Sequence, residues 1–269
     1  MRKTRIGFIG SGNMAKAIMK GLVSSKMKTS VELTAYDTDS LALASVKKLF
    51  KAKPAASNQA LVKECDVIFL AIKPQVYADI LSPLKPDFTA GKLIISIMAG
   101  LSVKKIQAVT GKVPVVRVMP NMPALVGEGA CGYCASKEAS KKQMLLAETI
   151  LDTFNRIKIL LPEKQLDTVT AISGSGPAYF FYFAEAVMEA SKELGFDIKD
   201  AKKLIAQTMI GAGQVMLESE DTPEVLRQKV TSKGGTTQKA IETMEKSGMK
   251  NIIKDAIKAA KNRSEELGK

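Results

Sequence analysis

Nearly uninterrupted apolar runs alternate with amphipathic stretches over roughly the first 160 residues, and after Pro162 the runs stop. Residues 6–9 (Ile-Gly-Phe-Ile), 66–71 (Asp-Val-Ile-Phe-Leu-Ala), 92–97 (Lys-Leu-Ile-Ile-Ser-Ile) and 113–119 are of this kind. Such runs predict strands buried on both sides, as in a parallel sheet. Residues 31–36 add a further strand, and 129–135 and 156–161 are weaker ones. Helix-spaced stretches at 16–23, 38–51, 102–109 and 136–154 fall between them. Strands alternating with helices across short connections predict an α/β fold with a doubly wound sheet.

Beyond Pro162 only the helical period remains, over 163–172, 176–194, 198–217, 223–229, 235–245 and 252–267. Pro177 falls in the first turn of its helix, where a missing N–H costs nothing, and Gly195 is placed as a C-cap. The chain therefore reads as two domains, 1–162 with the sheet and 163–269 all helical. One helix carries five adjacent aromatics, Tyr179-Phe180-Phe181-Tyr182-Phe183. They point in every direction around the axis and leave no face for water. So short a helical domain cannot cover them alone, which predicts a homodimer through the C-terminal region.

Composition narrows the chemistry. The net charge is +13, but the lysines are dispersed over helix faces (Lys47-Lys48, Lys141-Lys142, Lys202-Lys203, Lys258 and Lys261). No long basic block is interleaved with aromatics, so the charge predicts solvated surfaces that attract anionic small molecules, not a nucleic-acid partner. No stretch has the length of a membrane span, and residues 1–4 run straight into the first strand, leaving no room for a signal peptide. The cytoplasm is the expected compartment. The chain has no histidine, which excludes His-based proton relays and metal sites. Cys131-Gly132-Tyr133-Cys134 has CxxC spacing but no second cysteine pair to complete a zinc site, and it lies within a strand. A structural role is expected for it, and no metal.

Candidate chemistry begins where the first strand ends, at Ile9-Gly10-Ser11-Gly12-Asn13-Met14-Ala15. Gly10 allows a tight turn, Gly12 lets the backbone approach a pyrophosphate, and Ala15 lets the helix pack closely on the sheet. The helix start then offers unpaired N–H groups to the phosphates. Asp37 closes the next strand, where an acidic residue accepts from the ribose hydroxyls and repels a 2′-phosphate. These features predict a Rossmann-type dinucleotide-binding domain and favour NADH slightly over NADPH.

Three further segments are richer in small and polar residues than packing requires: Met119-Pro120-Asn121-Met122-Pro123, Ser173-Gly174-Ser175-Gly176-Pro177 and Val230-Thr231-Ser232-Lys233-Gly234-Gly235-Thr236-Thr237. The last leads into a helix expected to start near Gln238, so its glycines and hydroxyls form an anion site. Together with Gly7-Phe8-Ile9-Gly10-Ser11-Gly12-Asn13-Met14-Ala15 and Ala71-Ile72-Lys73-Pro74-Gln75, these segments resemble the pyrroline-5-carboxylate reductase family over almost the whole chain. The family pattern has a proline where this chain has Lys233, which bears on loop stiffness.

The resemblance implies hydride transfer from NADH or NADPH to the C=N carbon of 1-pyrroline-5-carboxylate, an imine acid, giving L-proline. It implies that Ile9, Gly10, Ser11, Gly12, Asn13 and Met14 form the pyrophosphate turn. By the same resemblance Asp37 is expected at the adenosine ribose, with Asn58, Ala71, Ile72, Lys73 and Pro74 flanking the cofactor. Gly234, Gly235 and Thr236 are expected to hold the substrate carboxylate, and Thr237 to hydrogen-bond the ring nitrogen. It also implies an active site shared between subunits of a homodimer, with larger rings of dimers. Two rivals stay open on the residues alone. One is a hydroxyacid dehydrogenase of similar architecture, and the other is a non-catalytic dinucleotide sensor or nucleic-acid binder.

Overall fold

A computed structural model describes residues 2–268. The chain runs β1 (Thr4–Ile9), α1 (Asn13–Ser24), β2 (Val31–Tyr36), α2 (Ser40–Phe50), β3 (Lys53–Pro54), α3 (Asn58–Glu64), β4 (Val67–Leu70) and α4 (Tyr77–Leu81). It continues through β5 (Leu93–Ser96), α5 (Val103–Thr110), β6 (Val115–Met119), β7 (Gly129–Ala135), α6 (Lys141–Leu151) and β8 (Asn155–Leu160). Among the described residues these strands form one sheet, in the order β3-β2-β1-β4-β5-β6-β7-β8. Every pairing is parallel except β6 with β7. That pair is joined by a 3₁₀ turn, Met122–Val126, too short for a parallel crossover.

The continuous apolar runs are explained by burial on both faces. Along β4, Val67 and Phe69 enter one core with Ile6, Phe8, Ile18, Leu22 and Ile150, while Ile68 and Leu70 enter the other with Leu61, Leu81 and Ile106. Phe8 and Phe69 are in register and stack with ring centroids 4.8 Å apart. After β3 the chain returns to lay β4 on the opposite side of β1. The loops leaving β1 and β4 therefore diverge, which opens a crevice at the sheet's carboxyl edge.

Several elements differ from expectation. The helix expected over 136–154 starts only at Lys141. Ser136 is still tied to β6, its N–H donating to Val115 O at 2.8 Å, and Ser140 caps α6 in a box with Gln143. The helices α3 and α4 were not expected. They are short, and α4 runs into a proline-containing 3₁₀ segment, Ser82–Asp87, so neither shows a full helical period.

After β8 come α7 (Leu166–Val169), a π-helical turn Thr170–Gly174, α8 (Gly176–Glu193), α9 (Ile198–Glu218), α10 (Pro223–Lys229), α11 (Thr236–Lys246) and α12 (Met249–Leu267). Among the described residues no strand follows β8. The chain divides into two compact units, one running to Pro177 and including the segment from Ala260 on, the other spanning Ala178–Ala259. The division lies beyond the expected 162/163 boundary because Leu166 and Val169 pack against Cys134 of β7. Late in α12, Ser264 belongs to the first unit as well, its Oγ donating to Asp167 Oδ1 at 2.7 Å. Arg117, buried on β6, faces Glu163 and Asp167 at 3.4 and 3.6 Å.

The second unit is helical and has almost no core of its own. Among its described residues only Ala201 is buried. Phe180, Phe181, Tyr182 and Phe183 are 61, 56, 74 and 40% exposed. Within a single chain, then, the aromatic helix is uncovered.

Candidate functional site

At the crevice, Gly10 N–H donates to Tyr36 O and Ala71 N–H to Ile9 O, both at 2.9 Å, so the exits of β1, β2 and β4 meet at Gly10. Gly10 has φ +95°, and a Cβ there would lie 2.5 Å from Ala71 O. Only glycine fits that position. Gly12 has ordinary φ, and a Cβ there would meet nothing within 4 Å. The space in front of it is open.

Helix α1 begins with Gly12 at its N-cap and no capping side chain. The amides of Gly12, Asn13 and Met14 have no acceptor among the described residues. An uncapped helix start with open space before it suits a phosphate. Two of the expected pyrophosphate amides are used elsewhere, Gly10 N–H by Tyr36 O and Ser11 N–H by Asp37.

Asp37 lies differently from expectation. Its Oδ2 accepts from Ser11 N–H at 2.6 Å and from the Ser11 hydroxyl at 2.8 Å, and its Oδ1 accepts from Asp39 N–H at 2.9 Å. Burial alone would raise this carboxyl. The donors of Asp39, Ser11 and Thr38 outweigh burial and hold it below the usual carboxylate value. Spacing places Asp37 correctly at the end of β2 but does not show that Ser11 takes its carboxylate.

Asn58 opens α3, behind the Ser57 cap. Its Oδ1 is buried with no hydrogen-bond partner. With Tyr36, Ser57, Asp79 and Ile80 it lines an open hollow of about 450 Å³. A buried acceptor without a donor is costly, and a hydroxyl or amino group of a ligand relieves it. Ala71 and Ile72 lie against the Gly10 turn, and Lys73 begins the 3₁₀ turn Pro74–Val76. The open space at Gly12, the uncapped α1 and the orphaned Asn58 Oδ1 together fit a dinucleotide.

The first two polar segments brace each other. Asn121 Oδ1 accepts from Ala130 N–H at 3.0 Å, and Asn121 Nδ2 donates to Ser173 Oγ at 3.2 Å. A Cβ at Gly174 would sit 2.6 Å from Met119 Cε. Asn121 and Ser173 thus join the loop after β6 to the turn before α8.

The third segment starts its helix at Thr236, between the two expected starts at 235 and 238, because Gly235 takes the extended N-cap conformation after Gly234 turns left-handed at φ +73°. Gly234 N–H donates to Gln238 Oε1 at 2.7 Å and Gly235 N–H to Ser232 O at 3.0 Å. The amides of these two glycines, expected to hold an anion, thus serve the turn. The helix start itself has no capping side chain, and its first-turn amides belong to Thr236, Thr237 and Gln238. Thr237 is half-buried, and its hydroxyl has no partner among the described residues.

Cys131 and Cys134 point to different cores, and burial pushes their thiols up to about 12 and about 11. Neither is a thiolate near neutrality. Among the described residues no three His, Cys, Asp or Glu side chains cluster as metal ligands, and no helix is long and apolar enough to cross a membrane.

Comparison with known proteins matches residues 163–267 to a family model described as "Pyrroline-5-carboxylate reductase dimerisation". Residues 5–100 match one described as "NADP oxidoreductase coenzyme F420-dependent". A pyrroline-5-carboxylate reductase of Pseudomonas aeruginosa is 38% identical over 99% of this chain and 98% of its own length. Among solved structures, pyrroline carboxylate reductase of Plasmodium falciparum with NADP bound superposes with TM-score 0.90 at 31% identity, covering 100% of both chains. Pyrroline-5-carboxylate reductase of Coxiella burnetii gives TM-score 0.89 at 35% identity, again over 100% of both chains.

Proposed function

This chain belongs to the pyrroline-5-carboxylate reductase family, and we propose that two uncapped helix starts divide the work of the reaction. It is an oxidoreductase that reduces 1-pyrroline-5-carboxylate to L-proline with NADH or NADPH. The bound reduced nicotinamide supplies a hydride to the C=N carbon.

The start of α1 holds the dinucleotide. Gly12, Asn13 and Met14 donate their amides to the pyrophosphate, Asn58 Oδ1 accepts from the adenosine half, and Ile9 with Ala71, Ile72, Lys73 and Pro74 forms the floor. The start of α11 holds the substrate. The amides of Thr236 and its neighbours take the carboxylate, with Gly234 and Gly235 shaping the turn that presents them. Thr237 Oγ1 accepts from the N–H of the protonated ring nitrogen and orients the imine carbon. A chain without histidine is adequate here, because an imine protonated from solvent is already electrophilic and needs no strong acid. What remains for the protein is positioning.

The open space at Gly12 carries this reading, and Gly12→Val tests it. A Cβ here meets nothing within 4 Å in the ligand-free chain, so the variant is expected to fold, while its side chain fills the pyrophosphate position. Retained affinity for both cofactors would contradict the assignment. The chain forms a homo-oligomer through its C-terminal region. We propose 163–269 as the domain that dimerises and carries the substrate residues, 1–162 as the nucleotide domain, dimers that close into rings, and a cytoplasmic location.

A further inference from the structure

A carboxylate has about four lone-pair positions on its two oxygens. In Asp37 three are filled, two on Oδ2 by the amide and hydroxyl of Ser11 and one on Oδ1 by the amide of Asp39. An acidic residue at this place reads the ribose through its 2′-hydroxyl, and grips the whole diol only with both oxygens free. With Ser11 bound, Oδ2 has no position left, so Asp37 cannot grip the diol with both oxygens without releasing Ser11. Ser11 is fully buried, so its amide and hydroxyl would be left without water or any other acceptor. Ser11 also sits between Gly10, left-handed at φ +95°, and Gly12, which has no neighbour within 4 Å of a Cβ position. Backbone bonds hold the turn at Gly10, and the two bonds from Ser11 to Asp37 tie its next residue through a side chain.

We propose that Asp37 is a positioning residue that clamps the glycine turn for either nicotinamide cofactor, and is not the residue that chooses between them. This rests on the dinucleotide-binding reading above. The clamp fixes the backbone from which the pyrophosphate amides of Gly12, Asn13 and Met14 project. Its loss therefore weakens NADH and NADPH alike.

The test uses the full chain carrying Asp37→Ala, with Asp37→Asn as a second variant should the first fold poorly. Hydrogen exchange on the ligand-free protein reads the clamp directly. Protection of the Ser11 amide falls by roughly tenfold or more in the variant, the scale of a lost hydrogen bond to a charged group. Calorimetric titration with NADH and with NADPH reads its consequence. Both dissociation constants rise by roughly tenfold or more, and their ratio stays within about threefold of wild type. Ser11→Ala, which keeps the amide bond, weakens both cofactors less and adds little on top of Asp37→Ala. A selective loss of NADH, with preference moving toward NADPH by about tenfold or more, overturns the proposal, because it shows Asp37 reading the ribose. Unchanged affinity for both cofactors overturns it as well. Wild-type protein that binds neither cofactor refutes the dinucleotide reading and the clamp's role in it, and is distinguished from those results by appearing without any substitution.

Discussion

Phe181→Ala is expected to weaken the dimer in a way the structure lets one estimate. Phe181 is 56% exposed in the single chain and sits among Phe180, Tyr182 and Phe183, which are exposed as well. Burying a whole phenylalanine side chain is worth about 1.5–3 kcal/mol. Covering the exposed half or so yields about 0.8–1.7 kcal/mol, and a symmetric contact counts it twice, giving about 1.7–3.4 kcal/mol per dimer. That corresponds to roughly a twenty- to three-hundred-fold rise in the dimer dissociation constant. Sedimentation equilibrium over a dilution series measures it. The melting temperature of the variant should also depend more steeply on protein concentration, since association stabilises the fold by mass action. A dissociation constant equal to wild type would show that partners do not cover this helix, and a wild-type chain that stays monomeric and stable would refute the reasoning altogether.

Thr237→Ala should keep cofactor affinity while lowering kcat/KM for the imine acid by roughly ten- to a hundred-fold, the worth of one hydrogen bond to a charged group. Steady-state kinetics in the folded variant decide this, and unchanged values would remove Thr237 from the site. Acid sensitivity should trace in part to Asp66. Burial raises its carboxyl, but the guanidinium and amide of Arg5 and the guanidinium of Arg2 outweigh burial and leave it below the ordinary value. A depressed folded-state pKa contributes stability above the unfolded value, about 4, and that contribution is lost as pH falls through the folded value. Urea midpoints measured from neutral pH downward should therefore fall less steeply in Asp66→Asn than in wild type, and parallel curves would exclude the contribution.

Much of the fold is legible because the sheet is buried on both faces. Runs such as residues 67–70 must be apolar throughout when alternate side chains enter two different cores. Gly10 is legible for a steric reason, since its φ and its contact with Ala71 O exclude any side chain. Short elements such as α3 and α4 are not legible, because seven or five residues complete too few turns to display a period. The residues of the two helix starts could be read from spacing, but their hydrogen-bond partners could not. Nothing in the order of residues shows that Asp37 turns onto Ser11, or that Gln238 takes the Gly234 amide. Each is a choice among nearby acceptors that only three-dimensional packing makes. The aromatic helix is the opposite case, because five adjacent rings demand cover, and the single chain leaves four of them exposed.

The most direct measurement of the central claim follows the purified chain with 1-pyrroline-5-carboxylate and NADH or NADPH, recording loss of the reduced nicotinamide absorbance alongside proline formed. The account predicts consumption that depends on the imine acid and matches proline mole for mole with at least one of the two cofactors. No consumption with either cofactor, or consumption without proline, would contradict it.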